Sequence, residues 1–382
     1  MARIIREPYG FVHIDPSAIK EVYGGPGGLV FIECMRIRPE GSTAKSVILF
    51  SHPVGGGAFL PLVSALARAG RDVIYCNTRY RGNDSALIME KCVLDLGACI
   101  KDLKSRFGYD TVTLGGWSGG GSLSLFYQDQ AVTPTIMATP AGDPVDLVGA
   151  GLEPVQGIML LAAHVARAVT LTEWLDPSIL DEDRPFERDP ALDLYGPACR
   201  PPYDEAFITR FRAGQAARNR RITARVKAQL AELRTSGQPN AERAFVVQGT
   251  MADPRWLDPA QDPSDRPPGT CYMGDPRLVN DGPTGLARFT TLRSWLSQWS
   301  LDDSRALGLN NAARVQCPAL VLDNTADLAC TPSHAARLFE ALASPDKQIH
   351  QVKGADHYYV ARPDLLAEAV EVVTGWLAAR GL

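Results

Sequence analysis

The chain has 382 residues, of which 45% are hydrophobic and 21% are charged. That composition is typical of a globular protein, and the length suits one large domain with an insertion, or two domains. The formal net charge of −4 argues against nucleic acid or an anionic membrane as a main partner. No apolar run reaches the roughly 20 residues of a membrane span, and the first residues lack the apolar core of a signal peptide. We therefore expect a cytoplasmic protein.

The eight cysteines favour the same compartment. They form no CxxC pair, and several lie in apolar runs, such as Cys76 in DVIYCNT and Cys99 in LGACI. Buried free thiols in a reducing compartment explain this spacing better than disulfides or a zinc site. We expect no metal and no cofactor.

The first 45 residues contain one short β-like segment, GLVFIECMRIRP. From residue 46 onwards, buried strands alternate with helices, which predicts an α/β fold with a mostly parallel sheet covered on both faces. The predicted strands are 46–53, 72–80, 111–117 and 157–164, and the predicted helices are 59–70, 86–107 and 119–130.

The alternation stops at residues 165–313, a segment rich in Pro, Asp and Arg. Two stretches in it have helical spacing, RRITARVKAQLAELR and FTTLRSWLSQWSLDDSRAL. A strand in ALVLD, a helix at 333–343, a strand in KQIHQV and a final helix at 363–380 then complete the pattern. We predict one core domain, residues 1–164 and 314–382, interrupted by residues 165–313, which are called the insert below.

The strongest functional signal is VTLGGWSGGGSL, in which an apolar β-like run meets a glycine-rich corner and a helix begins. Gly116, Ser118 and Gly120 fit the pattern G-x-S-x-G. A serine on such a sharp strand-to-helix turn projects its hydroxyl above the sheet, and side chains two positions away on either side would collide. The N-terminus of the helix also directs partial positive charge at the site. We interpret Ser118 as a nucleophile.

A serine nucleophile needs a histidine that accepts its proton and a carboxylate that orients the histidine. His357 follows a predicted strand in KGADHYY, and Asp327 follows another in DNTADLACTP. Asp323 is an alternative acid, but its place at the end of a strand also suits a buried or capping role. The chain order Ser118, Asp327, His357 is that of one triad arrangement.

The segment SHPVGGGAF follows the first alternating strand and lacks the Lys-Ser/Thr of a phosphate-binding loop. We interpret it as an oxyanion loop. Because Pro53 has no N–H, the expected donor is Val54 or Gly55, together with the N–H of Gly119. Candidate substrate-binding residues at the same edge of the sheet are His52, Trp117 and His164.

The insert carries four tryptophans, Trp174, Trp256, Trp295 and Trp299. We expect them to pack the insert on the core domain, and an apolar substrate pocket is the alternative. Residues 210–234 are rich in arginine, which indicates a solvated helix face, and a clamp for an anionic group is the alternative.

Together these motifs resemble the α/β-hydrolase superfamily. The resemblance covers residues 46–164 and 314–382 and includes HPVGGG, TRYRGND, GWSGG, DNTAD and GADH. It implies the α/β-hydrolase fold, Asp327 as the acid, His357 as the base, and the insert as a large, mainly helical cap. Family members often have His-Gly where this chain has His52-Pro53, which leaves the first oxyanion donor open.

These residues predict a serine hydrolase that cleaves a carboxylic ester or lactone through an acyl-enzyme. The same triad serves C–C bond hydrolysis and acyl transfer, so both stay open. A ligand-binding, receptor-like protein with little turnover is the alternative of another class. We expect a small-molecule substrate, an apolar ester or lactone, and neither nucleic acid nor membrane as a partner. The sequence leaves a homodimer open.

Overall fold

The computed structural model describes residues 3–23 and 26–382, and an eight-stranded sheet forms its centre. The strands, in chain order, are β1 (Ile4–Ile14), β2 (Leu29–Pro39), β3 (Ser46–His52), β4 (Val73–Asn77), β5 (Thr111–Ser118), β6 (Gly157–Ala163), β7 (Ala244–Val246), β8 (Phe289–Thr291), β9 (Ala319–Asn324) and β10 (Lys347–Val352). Their order across the large sheet is β1-β2-β4-β3-β5-β6-β9-β10, and β7 pairs separately with β8.

Helices lie on both faces of the sheet and in the insert. In chain order they are α1 (Pro61–Arg68), α2 (Met89–Phe107), α3 (Gly119–Val132), α4 (Arg167–Trp174), α5 (Glu205–Thr235), α6 (Pro276–Asn280), α7 (Leu292–Ser294), α8 (Gly308–Ala312), α9 (Pro332–Ala341) and α10 (Pro363–Ala378). Short 3₁₀ turns lie at Pro26–Gly28 and Pro254–Trp256, and a π-helical turn lies at Trp295–Trp299. Over the described part of the chain, no helix combines the length and apolar character that a membrane crossing requires.

The strands from β3 onwards in the large sheet are parallel to one another, as the alternation of strands and helices predicts. Helices α2, α3 and α9 pack against one face and bury one apolar layer. Helices α1 and α10 pack against the opposite face and bury a second layer. Because both faces are covered, β5, β6 and β9 are almost wholly buried, which explains their continuous apolar sequences.

The main difference from the sequence prediction is an additional N-terminal strand. β1 pairs with β2 in antiparallel orientation, from Ile4 opposite Pro39 to Ile14 opposite Leu29. The sequence analysis found only the segment that forms β2. Pro8 weakens the strand signal of β1, yet an edge strand tolerates proline because its outer side has no partner strand.

The insert contains both predicted helical segments, but in different forms. The first, RRITARVKAQLAELR, lies within α5, a helix of 31 residues. The second was wrongly predicted as one regular helix. It contains β8, the one-turn helix α7 and the π-helical turn, in which the N–H of Ser300 donates to the carbonyl oxygen of Trp295 at 2.8 Å. Trp295 and Trp299 are completely buried in this arrangement.

The carboxyl ends of the parallel strands bring the predicted site residues to one edge of the sheet. β3 ends at His52, β5 ends at Ser118, and His164 follows β6. Asp327 and His357 lie in the loops after β9 and β10. Parallel strands all end on the same side, so residues that are distant in sequence become neighbours there.

Glycine is required around Ser118 because the turn packs tightly on the sheet. A methyl group on Gly116 would lie 2.7 Å from the Cα of Gly121, and one on Gly120 would lie 2.2 Å from the carbonyl oxygen of Ser51. Close packing leaves no room for either group unless the backbone moves. α3 can therefore begin directly after β5 only when these positions are glycine.

We expect Gly120→Ala to lower the free energy of unfolding by about 1–3 kcal/mol, because the backbone of β3 would have to shift. Gly375→Ala is a matched control in α10, since no heavy atom lies within 4 Å of its Cβ position. Alanine is favoured over glycine in a helix interior by about 1 kcal/mol, so the control should be stabilised. Urea unfolding measures both changes, and stabilisation by both substitutions would contradict the packing argument.

Candidate active site

Ser118 occupies the sharp turn between β5 and α3. Its backbone has φ 55° and ψ −127°, a conformation that residues other than glycine rarely adopt. The residue is 7% exposed. The next residue, Gly119, is the first of α3, so its N–H has no partner within the helix. This strained turn is the geometry that the G-x-S-x-G pattern predicts for a nucleophile.

His357 and Asp327 form a direct hydrogen bond, with 2.6 Å between Nδ1 and Oδ2. Both side chains are buried. Asp327 also accepts hydrogen bonds from the N–H groups of Ala329 at 2.7 Å and Cys330 at 2.9 Å. These bonds fix the carboxylate. Because Nδ1 of His357 donates its proton to the carboxylate, Nε2 is the ring atom that can accept another proton.

Asp323, the alternative acid, has a different partner. It lies in β9, where its Oδ2 accepts a hydrogen bond from Nε2 of Gln351 at 3.0 Å. Burial raises the pKa of Asp323, and the hydrogen bond from Gln351 opposes that shift. The structure therefore brings Asp327, and not Asp323, to His357.

Residues of the insert hold the loop that carries Asp327. This loop, residues 325–331, is called the acid loop below. The indole Nε1 of Trp256 donates to the carbonyl oxygen of Leu328 at 2.9 Å, and Arg255 donates to Oγ1 of Thr331 at 3.0 Å. Sequence analysis did not find this support, because no motif links residues so distant along the chain.

The insert is also bound to α9 through a buried carboxylate. Glu173, in α4, lies 2.9 Å from Nε2 of His334 and 2.7 Å from a guanidinium nitrogen of Arg255. Burial favours a raised pKa for Glu173, but Arg255 and His334 outweigh burial and hold the pKa well below its usual range. The contact with His334 thus joins the insert to α9, and the pair with Arg255 holds the carboxylate from within the insert.

The hydroxyl of Ser118 is hydrogen-bonded to a different histidine. Its Oγ lies 3.1 Å from Nε2 of His164, and Nδ1 of His164 lies 2.7 Å from Oγ1 of Thr170 in α4. Burial, together with the other nearby histidines and Arg167, lowers the pKa of His164 well below its usual value. His164 is therefore a neutral imidazole that holds the resting hydroxyl. No motif marks Thr170 in the sequence.

The thiol of Cys330 lies beside Asp327 and His357. Its Sγ is within 4.8 Å of a ligand atom from each of Asp327 and His357. Burial raises the pKa of Cys330, and the nearby hydroxyl of Ser118 opposes that shift.

Within the described residues, the hydroxyl of Ser118 is hydrogen-bonded to His164 and not to His357. Proton transfer to His357 therefore requires the hydroxyl to turn away from His164.

The N–H groups of the loop after β3 donate hydrogen bonds to His52 and Asn77. Val54 donates to Nδ1 of His52 at 3.2 Å, and Gly55 donates to the carbonyl oxygen of His52 at 2.8 Å. Gly56 donates to Oδ1 of Asn77 at 2.9 Å. The two predicted oxyanion donors of this loop, Val54 and Gly55, therefore have partners already. An oxyanion role for either residue requires the loop to give up a hydrogen bond.

Trp117 packs against the loop that carries His357. Its Nε1 donates to the carbonyl oxygen of His357 at 3.3 Å, and the centroids of the two rings are 4.5 Å apart. The ring of Tyr358 lies 5.4 Å from the indole, and the ring of His52 lies 6.0 Å away. These contacts make Trp117 a positioning residue for His357, and its contact with substrate stays a prediction.

The tryptophans of the insert are core residues. Trp174 and Trp256 pack against Ala329 and Cys330 beside the acid loop, so they join the insert to the core domain as expected. Trp295 and Trp299 instead belong to an apolar cluster that lies mostly within the insert.

Several arginines of α5 pair with acidic side chains or carbonyl oxygens of the insert. Arg218 is fully buried and donates to Glu182 and to the carbonyl oxygen of Gly249. Arg220 pairs with Asp302 on the surface. These pairs favour a structural role over a clamp for an anionic ligand.

Among the residues that the structure describes, two groups of side chains have the chemistry of metal ligands. One comprises Asp327, Cys330 and His357, and it coincides with the site described above. The other comprises Cys34, Cys76 and Cys99, which lie close together in the buried core. All eight cysteines are free thiols, as the sequence predicts.

The strand order and the strand–serine–helix turn define the α/β-hydrolase fold, as the resemblance of the motifs implied. No family model and no curated protein matches the sequence. Among solved structures, the chain is similar to a monoacylglycerol lipase of Paleococcus ferrophilus, with 16% identity, a TM-score of 0.44, and coverage of 87% of this chain and 94% of that chain.

Two further solved structures have a similar fold. The esterase domain of a Rhodothermus marinus protein has 13% identity and a TM-score of 0.45, over 97% of this chain and 98% of that chain. A proline iminopeptidase of Mycobacterium smegmatis has 15% identity and a TM-score of 0.44, over 91% of this chain and 96% of that chain. At such identities, the similarity carries no inference about the reaction of this chain.

The lowered pKa of His164 makes stability depend on pH. The unfolded imidazole has a pKa near 6.5, so below that value the unfolded chain binds more protons and stability falls as the pH falls. His164→Gln removes the titrating group and keeps a hydrogen-bonding side chain. We expect the wild type to lose more stability than the variant between pH 7.5 and pH 5, by up to about 2 kcal/mol, the limit that the unfolded pKa sets. Urea unfolding at both pH values measures this difference, and equal losses would show that folded His164 is protonated.

Proposed function

We propose that this protein is a serine hydrolase that cleaves a carboxylic ester or lactone through an acyl-enzyme. The observation that carries the proposal is the 2.6 Å hydrogen bond between His357 and Asp327, at the same edge of the sheet as a serine on a strained strand-to-helix turn. In this proposal Ser118 is the nucleophile, His357 is the general base, and Asp327 orients and stabilises His357.

The reaction proceeds in two halves. In the first, Oγ of Ser118 attacks the carbonyl carbon while Nε2 of His357 takes the hydroxyl proton, and the carbonyl π electrons become an oxyanion. The oxyanion collapses, the bond to the alcohol oxygen breaks, and His357 returns the proton to that oxygen. In the second half, water attacks the acyl carbon and gives a proton to His357. Collapse then breaks the bond between the acyl carbon and Oγ, His357 returns its proton to Oγ of Ser118, and the carboxylic acid is released.

A carboxylate partner distinguishes His357, the proposed base, from His164. An imidazole that takes a proton becomes a cation, and a buried cation is costly unless a negative group is close. His357 has Asp327 at 2.6 Å, whereas His164 has only the hydroxyl of Thr170. We therefore assign proton transfer to His357 and give His164 the task of holding the resting hydroxyl.

The surroundings of the site favour a mainly apolar substrate that enters beneath the insert. Trp174, Met251 and Trp256 form an apolar cluster with Ala329 and Cys330, next to the acid loop. Since Ser118 is 7% exposed and His357 is 4% exposed, a substrate reaches them only if the surrounding segments move. In our proposal the insert is the cap that makes this movement.

A receptor-like protein with little turnover is the second candidate, and the bond between Ser118 and His164 favours it. A serine held by a neutral imidazole without a carboxylate is not activated in its resting position. The two candidates differ in whether the hydroxyl can transfer its proton to His357.

A fluorophosphonate probe separates the two candidates. We expect the wild type to be labelled at Ser118 and to hydrolyse p-nitrophenyl esters, with a preference that a series of acyl chain lengths defines. Ser118→Ala should lose labelling and at least about 10³-fold in kcat. Mass spectrometry of the labelled peptide identifies the modified residue. A wild type that binds esters but is neither labelled nor active would support the receptor instead.

The two aspartates provide a matched pair of substitutions. Asp327→Asn should lower kcat by about 10⁴-fold, because the amide favours the wrong tautomer of His357. Asp323→Asn should change kcat less than about threefold, because Asp323 is bonded to Gln351 and not to His357. Steady-state kinetics on the best ester measures both values. Equal losses, or a larger loss for Asp323→Asn, would refute the assignment of the acid.

A further inference from the structure

The site lacks an obvious second oxyanion donor. Pro53 has no N–H, and the N–H groups of Val54, Gly55 and Gly56 all donate within the loop or to Asn77. A tetrahedral intermediate is stabilised by donors that are already in place, and usually by more than one. The N–H of Gly119 supplies one of them, so the other has to come from a different group.

The hydrogen bond from Val54 fixes the tautomer of His52. A backbone N–H can donate only to a ring nitrogen that carries no proton, so Nδ1 of His52 is the acceptor, at 3.2 Å. The neutral ring must then carry its proton on Nε2. Burial, together with the nearby charges of Arg167 and His357, lowers the pKa of His52 to about 3, so the ring is neutral near pH 7.

The Nε2 atom of His52 lies beside the nucleophile turn. A methyl group placed on the Cα of Gly119 would come within 2.9 Å of this nitrogen, so the edge of the imidazole rests directly against Gly119. The hydrogen bonds of the described residues give Nε2 no acceptor. The Nε2–H group of His52 thus lies next to the N–H of Gly119 and donates to no acceptor among the described residues.

We propose that Nε2–H of His52 is the second oxyanion donor, in place of a backbone N–H of Val54 or Gly55. The proposal rests on the serine hydrolase function proposed above. In the attack step, the carbonyl oxygen gains the electron pair of the broken π bond. The resulting oxyanion accepts hydrogen bonds from Gly119 N–H and His52 Nε2–H, and neither donor gives up its proton.

This arrangement also gives the His-Pro sequence a function. Pro53 removes a backbone donor, and the following N–H, that of Val54, is directed at the ring of His52 and not at the substrate. The loop therefore uses its backbone to hold a side chain in place.

Two substitutions of His52 test the proposal. His52→Leu removes the donor, and we expect kcat to fall by about 10²–10³-fold with little change in KM, because the donor acts on charge that develops in the transition state. His52→Gln places an amide N–H near the position of Nε2, and should retain kcat within about tenfold of the wild type. Urea unfolding of each variant shows that the protein is folded.

A trifluoromethyl ketone tests the donor role directly, because its inhibition constant would not follow kcat/KM if the role of His52 were purely structural. It forms a tetrahedral adduct with Ser118, and the oxyanion of that adduct occupies the proposed hole. Across the wild type, His52→Gln and His52→Leu, the inhibition constant should rise in proportion to the fall in kcat/KM. Retention of kcat within about threefold in His52→Leu would overturn the proposal, and so would inhibition constants that do not change among the three proteins. Failure of the proposed function has a different result, since the wild type itself would then hydrolyse no ester.

Discussion

The positive φ of Ser118 is the constraint from which the rest of the site follows. A residue with φ 55° at the junction of β5 and α3 is costly, and it persists only where the surrounding packing leaves no alternative. Gly116 and Gly120 provide that packing, because a Cβ at either position would meet backbone atoms. The same turn places the first N–H of α3 and the serine hydroxyl at one edge of the sheet. The proposed nucleophile and the proposed oxyanion donor are therefore products of a single backbone conformation.

The insert contributes to the site as directly as the core domain does. Thr170 of α4 contacts His164, and Trp256 and Arg255 hold the loop that carries Asp327. A rearrangement of the insert would thus affect both the resting partner of the serine and the position of the acid. In the proposed mechanism, cap movement and assembly of the triad are coupled through these contacts, which are few and specific.

Sequence alone predicted those features that depend on local pattern or on strand order. The α/β fold follows from the alternation of buried strands and helices. The turn at Ser118 follows from its glycines, and the positions of Asp327 and His357 after β9 and β10 follow from the chain order. The contact between Asp327 and His357 fits that order, and the different partner of Asp323 separates the two candidate acids.

The features that the sequence did not predict depend on contacts between residues that are distant along the chain. The bond between Ser118 and His164 depends on how β6 lies beside β5, and no local signal encodes it. The π-helical turn at Trp295–Trp299, where two indoles are fully buried, has no signal in the spacing of the sequence. The strand β1 was missed because pairing with β2, and not its own composition, makes it a strand.

Three imidazoles near one hydroxyl raise the question of which ring accepts the proton, and electrostatics answers it. His164 is buried and His52 is half-buried, and desolvation together with positive charge on Arg167 and His357 lowers the pKa of each ring. With a pKa of about 3, only about one His52 ring in 10⁴ is protonated at pH 7. In the proposed mechanism, His357 is therefore the ring that carries the positive charge, because it alone of the three has the carboxylate of Asp327 as a partner.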